Sequence, residues 1–338
     1  MYSPIKSRTF AFALIILGFA SPLLAQQKGQ WVPGQFGLNA GAIPEPGITY
    51  ANLALNYSAS QLNDSNGNRI LQNVNGTYSF WVDENIFYLV PKHKFFGGYF
   101  MPYLALNYAN GELVANITGT SLSTGGGGSG FADMYVQPLN LGWHLKHADV
   151  DVGYAFVAPT GRYTAGATDN VGSGYWGNNI TSGTTYYITK NKATSANLAT
   201  DWEIHGQRLT ASTPAGLFSE KTPGQAFTDE WGFGQVLPLK KDFSRLAQLG
   251  LVGYDQWQVT SNGGTVIVLG IPVPASSIPY YSVHGIGLQA NFILPAKNLV
   301  AFFKYYDEYS AKARPQGRTI DFGFSWTFRI PKPQPPKP

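Results

Sequence analysis

The sequence contains no cysteine, few charged residues and no long apolar run after its first 25 residues. The absence of cysteine excludes a disulfide framework, a thiolate metal site and a lipidated N-terminal cysteine. Charged residues make up 12% of the chain, about half the fraction usual in soluble domains. Beyond residue 25 no stretch offers about 18 consecutive apolar residues, which excludes a helical membrane protein. A soluble globule is also disfavoured, because no segment shows a convincing amphipathic helical pattern.

The first 25 residues have the pattern of a secretory signal peptide. Lys6 and Arg8 precede an apolar stretch over residues 10–20, and Ala25 is followed by two glutamines. The stretch is shorter than the about 20 residues that a membrane-spanning helix needs, which disfavours an uncleaved anchor. We therefore expect cleavage after Ala25 and export to the periplasm or the outer membrane.

The mature chain is nearly neutral, because removal of the signal peptide takes away two basic residues and no acidic one. Its lysines and arginines are scattered and never form the patch that phosphate binding requires. Nucleic acid is therefore not expected as a partner.

Aromatic residues make up 14% of the chain, glycines number 39, and the dominant hydrophobic period is two. In the last predicted strand, apolar and aromatic residues alternate with polar or small ones, as expected of a strand between lipid and water. The predicted lipid-facing residues of this strand are Ile320, Phe322, Phe324, Trp326 and Phe328. The same alternation is present over residues 51–57, 150–158 and 198–207.

The connections between these strands are of two kinds, which alternate along the chain. Short turns that carry lysine, such as residues 240–242, alternate with longer segments rich in Gly, Ser, Asn or Pro, such as residues 119–130 and 313–317. Short periplasmic turns and longer outside loops are typical of outer-membrane barrels. The sequence therefore predicts an all-β fold, a transmembrane antiparallel β-barrel of about twelve strands with an even strand count.

The predicted organisation has four parts. Residues 1–25 are the signal peptide, 26–47 an irregular leader rich in Pro and Gly, 48–328 the outer-membrane β-barrel, and 329–338 a Pro-rich tail. The leader has two interpretations, a segment that lies below or inside the pore and a floppy tail. Strands are expected near residues 48–59, 70–89, 95–117, 131–145, 150–163, 175–189, 197–210, 225–238, 246–260, 280–294, 299–312 and 318–328.

One predicted strand carries most of the candidate site. Asp201, Glu203, His205 and Gln207 lie on one face, opposite Trp202, and would point into the lumen and influence what passes. Asn52, Asn56 and Asp321 complete the set of predicted lumen-lining residues. The alternative is that all of these are ordinary polar residues of a barrel interior.

Catalytic, metal and cofactor sites are not predicted. The five histidines lack the spacing of a metal site, and the glycines over residues 125–128 are not followed by the Lys-Ser/Thr of a phosphate-binding loop. A barrel-embedded hydrolase would need a nucleophile beside His205, with Asp201 and Glu203 the nearest candidate partners, and no spacing places a serine there. A structural or surface-binding barrel is the third class, which conductance would distinguish from a channel.

Several segments are similar to a known family. They are residues 130–138, 141–144, 151–154, 157–162, 172–176, 249–256, 283–287 and 302–317. In this order they resemble the meta-pathway of phenol degradation family, over most of the mature chain. Members of that family look like outer-membrane transporters, so the resemblance implies an outer-membrane channel or transporter for small compounds, among them aromatic or apolar ones. The expected partners are outer-membrane lipid, a small-molecule substrate and the barrel-insertion machinery; no catalytic residue comes with the resemblance.

Overall fold

The structure is a computed structural model that describes residues 29–69, 74–117, 123–165, 167–210, 220–268 and 271–328. The predicted signal peptide and the Pro-rich tail lie outside these residues. None of the helices in the described ranges is long and apolar enough to cross a membrane.

Seventeen β-strands are present in the described residues. They are β1 (Gly47–Leu62), β2 (Val74–Val90), β3 (Lys94–Phe95), β4 (Gly98–Phe100), β5 (Tyr103–Ile117), β6 (Ser123–Phe131), β7 (Met134–His144), β8 (Ala148–Ala158), β9 (Tyr175–Tyr187), β10 (Thr194–Arg208), β11 (Ala226–Pro238), β12 (Leu246–Gln258), β13 (Thr265–Val268), β14 (Ile271–Pro274), β15 (Ser282–Leu294), β16 (Leu299–Lys312) and β17 (Pro315–Phe328). Three single-turn 3-10 helices are Gly37–Asn39, Ala275–Ser277 and Pro295–Lys297.

Twelve of these strands form a closed antiparallel β-barrel, which confirms the predicted fold class. The order around the barrel is β1, β2, β5, β7 to β12 and β15 to β17, and β17 pairs with β1 to close it. The seam between β5 and β7 is short, with only three residue pairs from Tyr103↔Gln137 to Ala105↔Tyr135. Closure leaves every wall strand paired on both sides, which the absence of water in a bilayer requires.

The connections at the two ends of the barrel differ in length. The end that carries the start of β1 and the end of β17 has short turns, such as residues 145–147 and 295–298. This is the periplasmic end, and the opposite, extracellular end has the longer connections, such as residues 159–174 and 259–281. One predicted outside loop, residues 313–317, is shorter than expected, because β17 already begins at Pro315.

Two local irregularities have a physical cause in the sequence. The register shifts between Val136 and Leu139, because Pro138 lacks the backbone N–H that the ladder needs and changes the phase of β7. The glycines over residues 125–128 were expected in a flexible outside loop, and that expectation is wrong. They belong to β6, which pairs with β5 above the seam and extends the wall toward the outside.

The outer face of the last strand is apolar, as the period of two predicts. The side chains of Phe322, Trp326 and Phe328 are exposed on this face, and Ile320 is 39% exposed there. Phe324 is half-buried, because its ring packs edge-on against Tyr50 on β1.

Candidate transport passage

The leader, defined from here on as residues 29–46, runs through the barrel from end to end. At the extracellular end, the side-chain amide of Gln30 donates to Ser173 Oγ at 2.7 Å and to the carbonyl of Tyr175 at 3.1 Å. Farther down, the carbonyl of Ala40 accepts a hydrogen bond from Thr185 on β9. The leader then reaches Gly47, where β1 begins at the periplasmic end. The barrel interior is therefore divided by a segment of its own chain.

Glu230 on β11 holds the middle of the leader. Its carboxylate accepts hydrogen bonds from the indole nitrogen of Trp31 at 3.0 Å and from the backbone nitrogens of Gly34 at 2.9 Å and Phe36 at 2.7 Å. The side chain is 1% exposed. Backbone N–H groups that converge on one carboxylate are strong, charge-assisted donors. Several N–H groups of the leader thus converge on one buried carboxylate.

Lys304 on β16 contacts the same part of the leader. Its ammonium group donates to the carbonyls of Gly34, at 3.2 Å, and Gln35. It also forms a buried ion pair with Asp321 at 2.8 Å. The leader turn is therefore held through its N–H groups by an acid and through its carbonyls by a base.

Four of the predicted lumen residues point into the barrel, three of them on β10, but they hold other protein groups. Glu203 accepts hydrogen bonds from the backbone nitrogens of Gln30 and Trp31, the latter at 3.0 Å, and lies 3.2 Å from His205 Nε2. Asp201 accepts from the amide of Asn179 at 2.8 and 3.0 Å.

Both ring nitrogens of His205 have partners, since Nδ1 lies 2.8 Å from the carbonyl of Gly224 and Nε2 faces Glu203. The serine hydroxyl that a hydrolase would need beside this ring is not among the described contacts of His205. The described residues also contain no group of three or more ligands able to hold a metal ion.

Two predicted lumen residues on β1 have their side chains on the opposite face. Asn52 pairs with Phe324 and Asn56 with Ile320, so both amides lie on the outer surface of the barrel, although Asn52 also borders the internal cavity. The prediction that their side chains face the lumen was wrong, because alternation shows that two faces differ and does not show which faces inward. The inward face of β1 is apolar and carries Leu53, Leu55 and Tyr57.

Gln207 is also a wrong prediction. The register of β10 shifts between His205 and Arg208, so Gln207 turns outward and is exposed. Arg208 takes the inward position and pairs with Glu220 at 2.7 Å. Asp321 does point inward, where it is fully buried against Lys304.

One side of the barrel interior, called the filled side, is packed with side chains. It comprises the buried residues Leu38, Glu230, Val252, Tyr254, Gln289, Lys304, Tyr306, Glu308 and Arg314. Glu308 accepts hydrogen bonds from Tyr57 at 2.8 Å and Tyr254 at 3.1 Å and lies 3.5 Å from the Arg314 guanidinium. This network closes the extracellular end of the filled side.

The other side contains a cavity of about 640 Å³ between the leader and the barrel wall. Its aromatic lining residues are Trp31, Phe36, Tyr78, Phe80, Tyr88, Tyr103, Tyr135, Tyr175 and Phe302. The cavity is bordered by Gly111, Gly128, Asn170 and Val171 at the extracellular end and by Pro295, Asn298 and Leu299 at the periplasmic end. It therefore follows the leader along the height of the barrel.

The charges around this cavity are of one sign. Glu45, Glu84, Asp133 and Asp151 line it, and no described lining residue is Lys, Arg or His. Glu84 is 7% exposed and accepts one hydrogen bond, from Gln35 at 3.3 Å. The cavity is therefore aromatic and acidic, whereas the basic groups Lys304 and Arg314 are paired on the filled side.

The connection over residues 159–174 folds against the extracellular mouth. Asp133, at the break between β6 and β7, accepts hydrogen bonds from the backbone nitrogens of Gly161 at 2.9 Å and Ser173 at 2.7 Å. Gly161 and Gly172 touch, and a Cβ on either would lie within 3 Å of the backbone of the other. The close approach requires glycine at both positions and narrows the mouth.

The sequence carries a signal for two inward-facing charges that are absent from the predicted lumen set. Lys304 is a lone charge between Phe303 and Tyr305, and a charged residue in a membrane strand should face the lumen. Glu230 lies on the face opposite Trp231 and Phe233, which indicates the lumen, although its neighbour Asp229 shares the aromatic face. No such signal indicates that their partner is the leader, because that contact joins residues about 200 positions or more apart in the chain.

The family model of the MetA-pathway of phenol degradation matches residues 59–324. The chain belongs to this family. The match confirms the resemblance that the sequence motifs indicate and covers the barrel from β1 to β17.

Among solved structures, this member of the phenol degradation family is similar to the COG4313 outer membrane channel from Pseudomonas putida F1. The TM-score is 0.63 at 14% identity, with 88% of this chain and 100% of that chain covered. It is also similar to the β domain of the Bordetella autotransporter BrkA, with a TM-score of 0.49 at 12% identity over 84% of this chain and 100% of that chain. No curated protein matches the sequence. The closed barrel with its apolar outer face places the chain in the outer membrane.

Proposed function

We propose that the protein is a passive outer-membrane channel through which small aromatic and apolar compounds move along the cavity beside the leader. The observation that carries the proposal is the continuity of the cavity lining, which includes residues from both ends of the barrel. Twelve strands enclose more space than the about eight that side chains fill and less than the sixteen of open porins. A narrow passage is the expected result.

The lining supports aromatic or apolar cargo. Ligand sites are mostly apolar, with a few polar groups that fix orientation, and volumes of about 300–1,000 Å³ are usual. Rings from β2, β5 and β7 meet here, and Tyr103 stacks on Tyr135 with ring centroids 5.6 Å apart. The Pseudomonas putida neighbour is an outer membrane channel, which agrees with this proposal.

Liposome swelling tests the proposal with a panel of phenol, toluene, glycerol and a disaccharide. We expect the small aromatic solutes to enter faster than the disaccharide. Ala105→Trp places a large ring in the passage, because Ala105 is buried and lines the cavity. This variant should abolish the difference in entry rate between the small aromatic solutes and the disaccharide. The matched control is Ala290→Trp, on the outer face of β15 between exposed Leu288 and Phe292.

Heat-modifiable migration in detergent would show that both variants are folded barrels. No solute entry with the folded natural protein would contradict the channel proposal and favour a structural barrel. Hydrolysis of an ester or amide substrate, lost with His205→Ala, would favour the enzyme alternative.

A further inference from the structure

The outer wall carries a polar patch inside its apolar belt. The patch consists of Tyr50, Asn52 and Asn56 on β1 and Asp83 and Asn85 on β2. Along β2 it is flanked by exposed Trp81 on one side and by exposed Phe87 and Leu89 on the other. Apolar, exposed side chains on both sides place the patch within the lipid-facing band, which is about 25 Å tall in barrels of this kind.

Asp83 is the unusual member of this patch. Its neighbours in sequence, Val82 and Glu84, line the inner cavity, whereas Asp83 is exposed on the outer face. Ionisable groups in contact with lipid are costly and usually have a partner. Near the extracellular end, the outward acids Asp255 and Asp307 have such a partner, since Asp255 lies 2.5 Å from His284 and Asp307 lies 3.4 Å from Arg318. A third outward acid, Asp229, lies opposite Asp255 on the neighbouring strand. Asp83 has only amide partners among the described residues.

The hydrogen bonds within the patch leave some of its donors and acceptors without a described partner. Asn52 donates to Asp83 at 2.6 Å and to the carbonyl of Glu84 at 3.2 Å. Asn85 donates to Asp83 at 3.4 Å, and Asn56 donates to the carbonyl of Phe80 at 3.3 Å. One amide hydrogen each of Asn56 and Asn85 has no described acceptor, and a carboxylate offers about four acceptor sites, of which two are occupied. In hydrocarbon, water cannot take these places.

We propose that this patch is the interface of a homodimer, with a second copy of this chain as its occupant. Two barrels in one membrane must have the same orientation, so a twofold axis between them runs along the membrane normal, and the interface is self-complementary. Such an axis brings β1 of one copy against β2 of the other at the same depth. Asp83 lies at the level of Ala54, with Asn52 and Asn56 above and below that alanine on its face.

Charge and shape agree with this arrangement. The carboxylate of one copy meets the amides of β1 from the other copy, and the small side chain of Ala54 leaves room for the approach. Hydrogen bonds across membrane-embedded interfaces strengthen association, and small residues at the contact let the backbones approach. The far wall exposes the apolar side chains of Leu198 and Trp202 on β10 and of Phe233 on β11, and its outward acid, Asp229, lies close to the start of β11 at the extracellular end.

Crosslinking through an introduced cysteine tests the proposal. The natural chain has no cysteine, so each variant carries a single thiol. Ala54→Cys places one thiol in the patch, and Ala196→Cys places one on the outer face of β10, across the barrel. A flexible bismaleimide added to intact outer membranes should link Ala54→Cys into a dimer several-fold more than Ala196→Cys. Native mass spectrometry of the natural protein in mild detergent should give twice the monomer mass.

The patch variants separate a specific interface from random collision. Asp83→Leu, and independently Asn56→Leu, should reduce the crosslinked fraction of Ala54→Cys to the level of Ala196→Cys, while heat-modifiable migration shows that the barrel is folded. Equal crosslinking at both sites, a monomer mass together with no crosslink, or a crosslinked product containing a different protein would each overturn the proposal.

Discussion

The two sides of the barrel interior differ in what their polar groups contact. On the filled side, Glu230, Lys304 and Glu308 form hydrogen bonds with the leader and with neighbouring side chains. On the cavity side, Glu84 has one weak partner, and no hydrogen bond or ion pair of Asp151 is described. The two sides of the barrel interior therefore differ in role. The filled side fixes the leader, whereas the cavity side presents aromatic and acidic groups that a solute can contact.

The comparison shows why the passage through a twelve-stranded barrel can be narrow without being blocked. The middle of the leader is attached to the filled side, because the hydrogen bonds of residues 34–38 to Glu230, Gln289 and Lys304 come from β11, β15 and β16. Leu38 packs among Val252 and Tyr306 on that side. The remaining space lies opposite these contacts and forms the cavity.

The largest effect is expected from the buried ion pair of the filled side. Lys304→Met leaves the carboxylate of Asp321 buried without its cation, which should lower the free energy of unfolding by about 3–5 kcal/mol. Urea unfolding in detergent, followed by tryptophan fluorescence, measures the change. The double variant with Asp321→Asn should recover part of the loss, and a double variant as unstable as Lys304→Met would contradict the pairing argument.

The leader attachment should have the next largest effect. In Glu230→Gln a neutral amide replaces a carboxylate that accepts from the leader, and we expect a loss of about 1.5–3 kcal/mol because hydrogen bonds to charged groups are of this size. Release of the leader should also raise single-channel conductance in planar bilayers. Asp307→Asn, which removes an exposed pair worth about 0–1 kcal/mol, is the control. A stable variant with raised conductance would mean that Glu230 holds the leader without stabilising the barrel.

A matched pair of valines tests whether the filled side is packed more tightly than the cavity side. Val252 is fully buried on the filled side, whereas Val82 is half-buried beside the cavity. Val252→Ala should cost about 1–2 kcal/mol because a void forms in a packed region, and Val82→Ala should cost less because it only enlarges a cavity. Thermal or urea unfolding distinguishes them, and equal losses would mean that the two sides are packed alike.

The smallest effect on stability, but a clear functional one, is expected from the cavity acids. Glu84→Gln with Asp151→Asn should leave the unfolding free energy nearly unchanged and reduce the preference of the channel for cations over anions. The reversal potential across a planar bilayer at low salt measures this preference, because screening is weak there. Asp201→Asn, at a residue whose carboxylate is held by Asn179 and which is not among those that line the cavity, should leave the reversal potential unchanged. A shift with Asp201→Asn alone would return that residue to the pathway.

Much of the fold could be predicted because each wall strand carries its own evidence. Alternation in residues 318–328 and the two kinds of connections required only local sequence, and the strand count and topology followed from them. The phase change at Pro138 could also be predicted, since proline removes a backbone donor from the ladder. The phase change at Gln207 could not, because its cause is the irregular pairing of β10 with β9.

The sequence by itself determined a barrel with an apolar outer face on its last strand, and it determined the family. Only the tertiary structure decided which face of β1 points inward and what Asp201, Glu203 and His205 contact. The physical reason is that the leader occupies the lumen, so the interior is partly a packed core and no longer simply aqueous. Under that condition polarity does not indicate the inward side, and Leu55 faces in while Asn52 faces out.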